Sequence, residues 1–307
     1  MNKILVATDK PFAASAVNGI RKITEDAGYE LRLLEKYTTK AELLEAVADV
    51  EAMIIRSDIV DAEVLAAARK LKIVVRAGAG YDNIDLAAAT VKGVVAMNTP
   101  GQNSNAVAEL ALGMMVYMAR GAFNGASGTE LKGKTIGIHA YGNVGRYVAK
   151  IALGFGMKVY AFDPYVKDEA MIAEGVTPIH NVEELYKTCQ YISLHIPAND
   201  QTKKSIGKNL LSLMPKGATL VNTARKEVID EEGLLAIFEE RPDFRYLSDI
   251  EPGCKAEVAE KYTGRFFFTP KKMGAQTSEA NNNAGLAAAR QIVGFLEKGD
   301  KTYQVNK

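Results

Sequence analysis

The chain has 307 residues, of which 48% are hydrophobic and 24% charged, and its net charge is +1. That length exceeds what one hydrophobic core usually serves, so two domains are expected. Near-neutral charge gives no reason to expect nucleic acid or an anionic membrane as partner. The two cysteines, Cys189 and Cys254, lie far apart and in no metal-ligand spacing, which predicts no metal and suits a reducing, cytoplasmic compartment. The opening residues lack a secretory apolar core. The most membrane-like stretch, Leu110 to Ala119, is too short to span a bilayer.

Short apolar runs alternate with helical patterns from the start. Lys3 to Thr8 is a predicted strand, Ala13 to Ala27 a helix, Tyr29 to Leu34 a strand and Lys40 to Ala48 a helix. Ala52 to Ile55 is a strand leading into Arg56 and Ser57. Asp61 opens a helix to Arg69, and Lys72 to Arg76 is the next strand. This alternation predicts an α/β fold with a doubly wound, Rossmann-like parallel sheet and helices on both faces. The loop Ala77-Gly78-Ala79-Gly80-Tyr81 follows its strand directly. Its small residues suit either a ligand close to the backbone or a plain strand–helix turn. After a strand at Val94 to Met97, Pro100 and Gly101 interrupt the pattern. Asn103 or Ser104 can then cap a long helix whose apolar positions recur to Met118. The crossing between domains is placed here.

Beyond a loop at Gly121 to Gly128, the stretch Thr135 to Asp163 has the grammar of a dinucleotide-binding unit. An apolar run (Ile136 to His139) meets a small-residue turn (Ala140, Gly142, Gly145), a helix (Val144 to Phe155) and a second strand (Met157 to Phe162). Bare backbone lets a pyrophosphate approach, and the helix N-terminus offers free N–H groups. Asp163 lies 18 residues past Gly145, near the roughly 20 expected of an acid that binds a ribose diol. Its charge favours NAD over NADP, since a carboxylate repels a 2′-phosphate. Ala140 replaces the usual first glycine, and a Cβ there requires φ to stay negative. Strands then follow at Val176 to Ile179, Tyr191 to Leu194, Ala218 to Val221, Arg245 to Leu247 and Arg265 to Phe268. Helices are expected at Val182 to Tyr186 and Asp230 to Phe238, and Thr277 to Lys298 closes the chain as a long helix. The long helices at 103–120 and 277–298 link the two domains.

Ligands of a doubly wound sheet bind beyond the carboxyl ends of its strands. The polar residues there are Arg56, Gly78 to Tyr81, His195, Asn222 to Arg225, Asp249 to Glu251, and Lys271 with Lys272. His195 suits a loop anchor as well as it suits catalysis. Arg225 directly follows a buried strand, which favours a carboxylate-clamping guanidinium over a surface charge.

The blocks RAGAGYDNIDLAAA, NTPGQNSNAVAELALGMM, ELKGKTIGIHAYGNVG, ISLHIP, LMPKGATLVNTAR, LSDIEP and TPKKMGAQTSEA, in this order, resemble the D-isomer-specific 2-hydroxyacid dehydrogenases. The resemblance implies an NAD-binding domain at 101–276, usually the site of dimerisation, and a substrate-binding domain made from both chain ends, 1–100 and 277–307. It places the cofactor against Tyr141, Gly142, Asn143, Val144, Asp163, His195, Ile196, Pro197, Thr223 and Ala224, with Asp249 beside the nicotinamide. It places substrate against Arg56, Ser57, Gly78, Ala79, Gly80 and Asn103, with Asn281 as a further polar contact. Arg225 matches the arginine that holds and polarises a 2-oxo acid. Glu251 matches the glutamate that tunes the acid/base but lies closer to Asp249 than in the family's pattern, so Glu257 is the alternative. Where the family has histidine after Thr-Pro, this chain has Lys271 and Lys272. Either ammonium can supply the proton a 2-oxo group needs, and as a base the lysine must be neutral.

The likeness is greatest to members that oxidise 3-phospho-D-glycerate with NAD, without the regulatory domain that longer members append. A homodimer is expected. A phosphate calls for more than one cation, and Asp58 beside Arg56 works against it. The alternatives are a reductase of glyoxylate, hydroxypyruvate or a related acid, and a non-catalytic protein that senses NAD.

Overall fold

A computed structural model describes residues 2–306. The chain separates into two compact units, one running to Asn103 and resuming at Thr277, the other Ser104–Gln276. The first unit begins with β1 (Lys3–Thr8), α1 (Ala14–Asp26), β2 (Glu30–Glu35), α2 (Lys40–Ala46) and β3 (Ala52–Ile55). It continues with α3 (Ala62–Ala67), β4 (Ile73–Arg76), α4 (Leu86–Val91) and β5 (Val95–Asn98). Its strands form one parallel sheet in the order β2-β1-β3-β4-β5. Strands β3 and β5 are buried at every position, as expected where helices cover both faces. Short helices start where a side chain caps them: Asp61 accepts from Val64 N–H and Asp85 from Ala88 N–H.

The second unit opens with α5 (Ser104–Ala119) and a 3₁₀ turn at Gly121–Phe123. Then come β6 (Thr135–His139), α6 (Asn143–Gly154), β7 (Lys158–Phe162), α7 (Asp168–Ala173), β8 (Thr177–Pro178), α8 (Val182–Thr188) and β9 (Tyr191–Leu194). It ends with α9 (Lys208–Leu211), β10 (Thr219–Asn222), α10 (Glu231–Glu240), β11 (Arg245–Ser248), α11 (Lys255–Lys261) and β12 (Phe266–Phe268). Seven parallel strands run β12-β11-β10-β9-β6-β7-β8. The order reverses between β6 and β9, and the crevice beyond their carboxyl ends is where such a sheet takes ligands.

Helix α12 (Ser278–Lys298) belongs to the first unit, where Ala284, Ala288 and Ile292 pack with Ile4 and Val6 of β1. The alternate residues Leu5 and Ala7 face the opposite layer with Val64 and Leu65, the two-residue period of a strand covered on both sides. Helices α4, α7, α9 and α11 were not read from the sequence, because a segment of one or two turns holds too few residues for a helical period. The strand expected at Val176 to Ile179 shrinks to two residues, because Pro178 has no N–H for the ladder.

Candidate active site

Strand β6 delivers the chain to the turn at Ala140. The Ala140 N–H donates to the Phe162 carbonyl at 2.9 Å. The Tyr141 N–H donates to Asp163 Oδ2 at 2.8 Å, and the Tyr165 N–H to Asp163 Oδ1 at 2.9 Å. Asp163 is therefore fixed by backbone donors, with lone pairs left over on both oxygens. Ala140 departs from expectation: its φ is +80° and not negative. The turn demands left-handed backbone there, and a Cβ in that region costs about 1–2 kcal/mol. The third glycine is required by packing, since a Cβ on Gly145 would come 2.3 Å from the Ala140 oxygen. Gly142 is different. Its φ is −81°, and a Cβ there would meet nothing within 4 Å.

That contrast tests the fit of a dinucleotide. The fold does not need Gly142 bare, whereas a pyrophosphate approaching the backbone does. No side chain caps α6, so its first-turn N–H groups face the same space. Beyond β7 a cavity of about 340 Å³ is lined by Asp163, Pro164, Val166, Met171, Ile179 and His180, of a size for a small ligand. Amide donors, an anchored carboxylate and this partly apolar slot suit the pyrophosphate, ribose and base of NAD. The Tyr141 side chain is fully buried, and its hydroxyl donates to Glu174.

On the other side of the crevice, the His195 N–H donates to the His139 carbonyl at 2.9 Å. The His195 ring lies between Ser193 Oγ (2.9 Å) and Thr223 Oγ1 (3.4 Å). Burial, with His139 nearby, pushes the His195 imidazole down to about 3, and burial pushes His139 down to about 4. Both rings are neutral near pH 7, which suits His195 as a loop anchor. Ile196 is buried and Pro197 exposed on the loop that follows.

The next strand end carries Asn222 and Arg225. Asn222 staples the turn after β10: its Oδ1 accepts the Ala224 N–H at 2.9 Å and its Nδ2 donates to the Arg225 carbonyl at 3.1 Å. The partly buried Lys272 reaches this turn, and its Nζ donates to the Ala224 carbonyl at 2.6 Å. Lys271 is exposed. The loop with both lysines is buckled by buried Asp249, which accepts from Thr269 Oγ1 at 2.9 Å, Met273 N–H at 2.7 Å and Gly274 N–H at 2.8 Å. Ile250, next in sequence, has φ +153°, a region that favours glycine. Glu251 pairs with Lys255 and Glu257 with Lys261, each four residues on in the chain.

Within the first unit, Arg56 and Asn281, 225 residues apart, come together: Arg56 Nη2 donates to Asn281 Oδ1 at 2.7 Å. Arg56 Nη1 donates to the carbonyls of Lys10 (2.8 Å) and Pro11 (3.2 Å). Asp58 takes the Tyr37 hydroxyl and the backbone N–H groups of Asp9 and Arg56. Its carboxylate therefore buckles a turn. Gly78 has φ +155°, and Arg76 fills the space where its Cβ would be. Arg76, the last residue of β4, donates from Nε to the Arg56 carbonyl at 3.1 Å, so a second cation lies at the Arg56 turn. Gly78 O accepts the Thr99 N–H at 2.9 Å, and Ala79 O accepts from Asn98 Nδ2 at 2.6 Å. Ala79 and Ser57 are exposed, Gly80 is half-buried, and Asn103 is the residue before α5.

Residues 106–253 match the family model described as D-isomer specific 2-hydroxyacid dehydrogenase, NAD binding domain. The whole chain resembles an NAD+-bound 3-phosphoglycerate dehydrogenase of Entamoeba histolytica, with TM-score 0.87 and 48% identity, covering 100% of this chain and 99% of that one. The chain belongs to the D-isomer-specific 2-hydroxyacid dehydrogenases. The family's NAD-binding domain falls within the Ser104–Gln276 unit. A hydroxypyruvate reductase of Thermotoga maritima is 35% identical, over 88% of this chain and 92% of that protein. A D-3-phosphoglycerate dehydrogenase of Methanocaldococcus jannaschii is 36% identical over 95% of this chain, which spans only 57% of that relative's length. Among the described residues, no helix of this family member is long and apolar enough to cross a membrane.

Proposed function

We propose that this chain is an NAD-dependent D-3-phosphoglycerate dehydrogenase, converting 3-phospho-D-glycerate to 3-phosphooxypyruvate on the way to serine. The observation that carries the reaction is the contact of Lys272 Nζ with the Ala224 carbonyl. It sets an ammonium one residue from Arg225, at a strand end where 2-oxo acids would meet the cofactor. NAD, when bound, supplies the acceptor for the hydride that leaves C2. Arg225 holds the carboxylate through its planar fork and polarises the C2 oxygen. Lys272, neutral, takes the proton of the C2 hydroxyl as the carbonyl forms; in the reverse direction its ammonium returns that proton. Asp249 keeps the lysine loop in place. Lys272 is favoured over Lys271 because it reaches the Arg225 turn while Lys271 is exposed. Glu251 and Glu257, each paired to its own lysine, act away from the proton transfer.

The phosphorylated substrate is supported by the 48% identity to a 3-phosphoglycerate dehydrogenase and by Arg76 beside Arg56. The unit built from both chain ends takes the substrate, with Arg56, Ser57, Gly78 to Gly80 and Asn103 as its contacts. A homodimer is supported by Phe123, 66% exposed and stacked edge-on against Tyr117, in a segment after α5 that is exposed from Arg120 to Glu130. Two free cysteines agree with a cytoplasmic location. A second reading, reduction of hydroxypyruvate, is favoured by the near full-length likeness to the Thermotoga reductase.

The test is NADH oxidation with 3-phosphooxypyruvate, hydroxypyruvate, glyoxylate and pyruvate in parallel. Turnover on the phosphorylated acid alone is expected. Equal turnover on hydroxypyruvate or glyoxylate would overturn the substrate, and NADH binding with no turnover on any acid would overturn the enzyme.

A further inference from the structure

Ala140 holds left-handed backbone at the entrance to the cofactor turn. Strain of that kind persists only where neighbours over-determine the conformation. Here the following residue is fixed from several directions. Tyr141 is fully buried. Its N–H is bound to Asp163 Oδ2, and its hydroxyl donates to Glu174 Oε2 at 2.7 Å. The Arg146 guanidinium lies over its ring, 4.9 Å from the centroid, and pairs with the other oxygen of Glu174. Arg146 belongs to the first turns of α6. Glu174 caps α7, whose Asp168 and Met171 line the cavity beyond β7. The diol-binding acid, the start of the phosphate-binding helix and the wall of the base-sized cavity therefore converge on one residue, Tyr141: Asp163 through its backbone N–H and the other two through its side chain.

We propose that Tyr141, with Glu174 and Arg146, is a positioning cluster that holds the strained Ala140–Gly145 turn in its NAD-binding form. Tyr141 touches no reacting atom and acts through the backbone on either side of it. A phenylalanine at 141 keeps the ring and the N–H but loses the bond to Glu174, so Ala140 can relax toward negative φ and draw the Asp163 anchor with it. A glycine at 140 has no such tendency to relax. The two positions are therefore coupled, in the direction that glycine rescues phenylalanine.

NADH dissociation constants are to be measured by fluorescence titration for the intact chain, Tyr141→Phe, Ala140→Gly, the double variant and Glu174→Gln, with kcat and the KM for NADH alongside. Tyr141→Phe and Glu174→Gln are each expected to weaken NADH about tenfold, from loss of one hydrogen bond to a charged acceptor. The loss falls on Kd and KM far more than on kcat. Ala140→Gly with Tyr141→Phe returns Kd to within about threefold of the parent. If Tyr141→Phe does not fold, Glu174→Gln alone and with Ala140→Gly carries the same comparison. A Kd within twofold of the parent in the single variants overturns the proposal. So does a double variant as weak as Tyr141→Phe, or a loss confined to kcat.

Discussion

Two turns of one sheet place a side chain where glycine is favoured, and they are held differently. Ala140, after β6, has φ +80°, and Ile250, after β11, has φ +153°. At the first, the anchor is the residue that follows: Tyr141 is bound to Asp163 and Glu174. At the second, the anchor is the residue before: Asp249 accepts three hydrogen bonds from the loop that carries Lys272. The difference separates two tasks. In the proposed reading, strain beside Ala140 serves NAD binding and strain beside Ile250 serves the aim of a proton donor. Changes on the first side should move affinity and changes on the second should move turnover.

The largest expected effect tests the second side. Lys272→Ala should lower kcat by about 10²–10⁴-fold, the usual contribution of a positioned acid/base, and leave the NADH Kd near that of the parent. If Lys271→Ala does this instead, the exposed lysine is the donor. Next is Asp249→Ala, which orphans the N–H groups of Met273 and Gly274. Urea unfolding should show a loss of about 3 kcal/mol, and kcat should fall about tenfold or more as the loop loosens. A fall in NADH affinity as large as the fall in kcat would erase the contrast between the turns.

A smaller effect concerns pH. His195 and His139 titrate at about 3 and about 4 when folded, below the ordinary 6.5. They are neutral bases in the native state, and the unfolded chain takes up protons first as pH falls. Their contribution to stability is complete above about 6.5 and is lost as pH falls from there towards about 4 and then about 3. Melting temperatures should drop between pH 7 and pH 5, and His195→Gln should flatten the slope; a parent slope retained in that variant would assign the dependence elsewhere. The smallest effect is on the first turn itself. Ala140→Gly should stabilise the chain by up to about 1 kcal/mol, the left-handed penalty of alanine less the entropy cost of glycine. Destabilisation in urea would mean that the Ala140 side chain matters more than its φ.

The sheet architecture was legible because buried parallel strands are short apolar runs separated by helical patterns. Ala52 to Ile55 and Tyr191 to Leu194 were placed to the residue for that reason. Seven sequence blocks identified the family, and the Lys271–Lys272 departure was visible in them. The φ of Ala140 was misjudged because a dipeptide energy argues for negative values, while the surrounding contacts reverse it. Arg76 was read only as the end of a strand, since its packing over Gly78 depends on a turn no pattern encodes. The Tyr141–Glu174–Arg146 cluster joins residues up to 33 apart, and Asp249 meets its loop up to 25 residues later. Such pairings leave no local periodicity to read. Glu251 was judged by its spacing to Asp249, but its ion pair with Lys255 follows from the helix that begins there.

The central claim, that Lys272 gives the proton to the 2-oxo group, is tested most directly by the pH profile of 3-phosphooxypyruvate reduction by Lys272→His. An imidazole donor must be protonated, so kcat/KM of that variant should fall as pH rises through about 6.5, in a range where the parent holds its activity and where Lys271→His behaves as the parent does. Identical profiles for the parent and Lys272→His, or the acid shift appearing in Lys271→His instead, would contradict it.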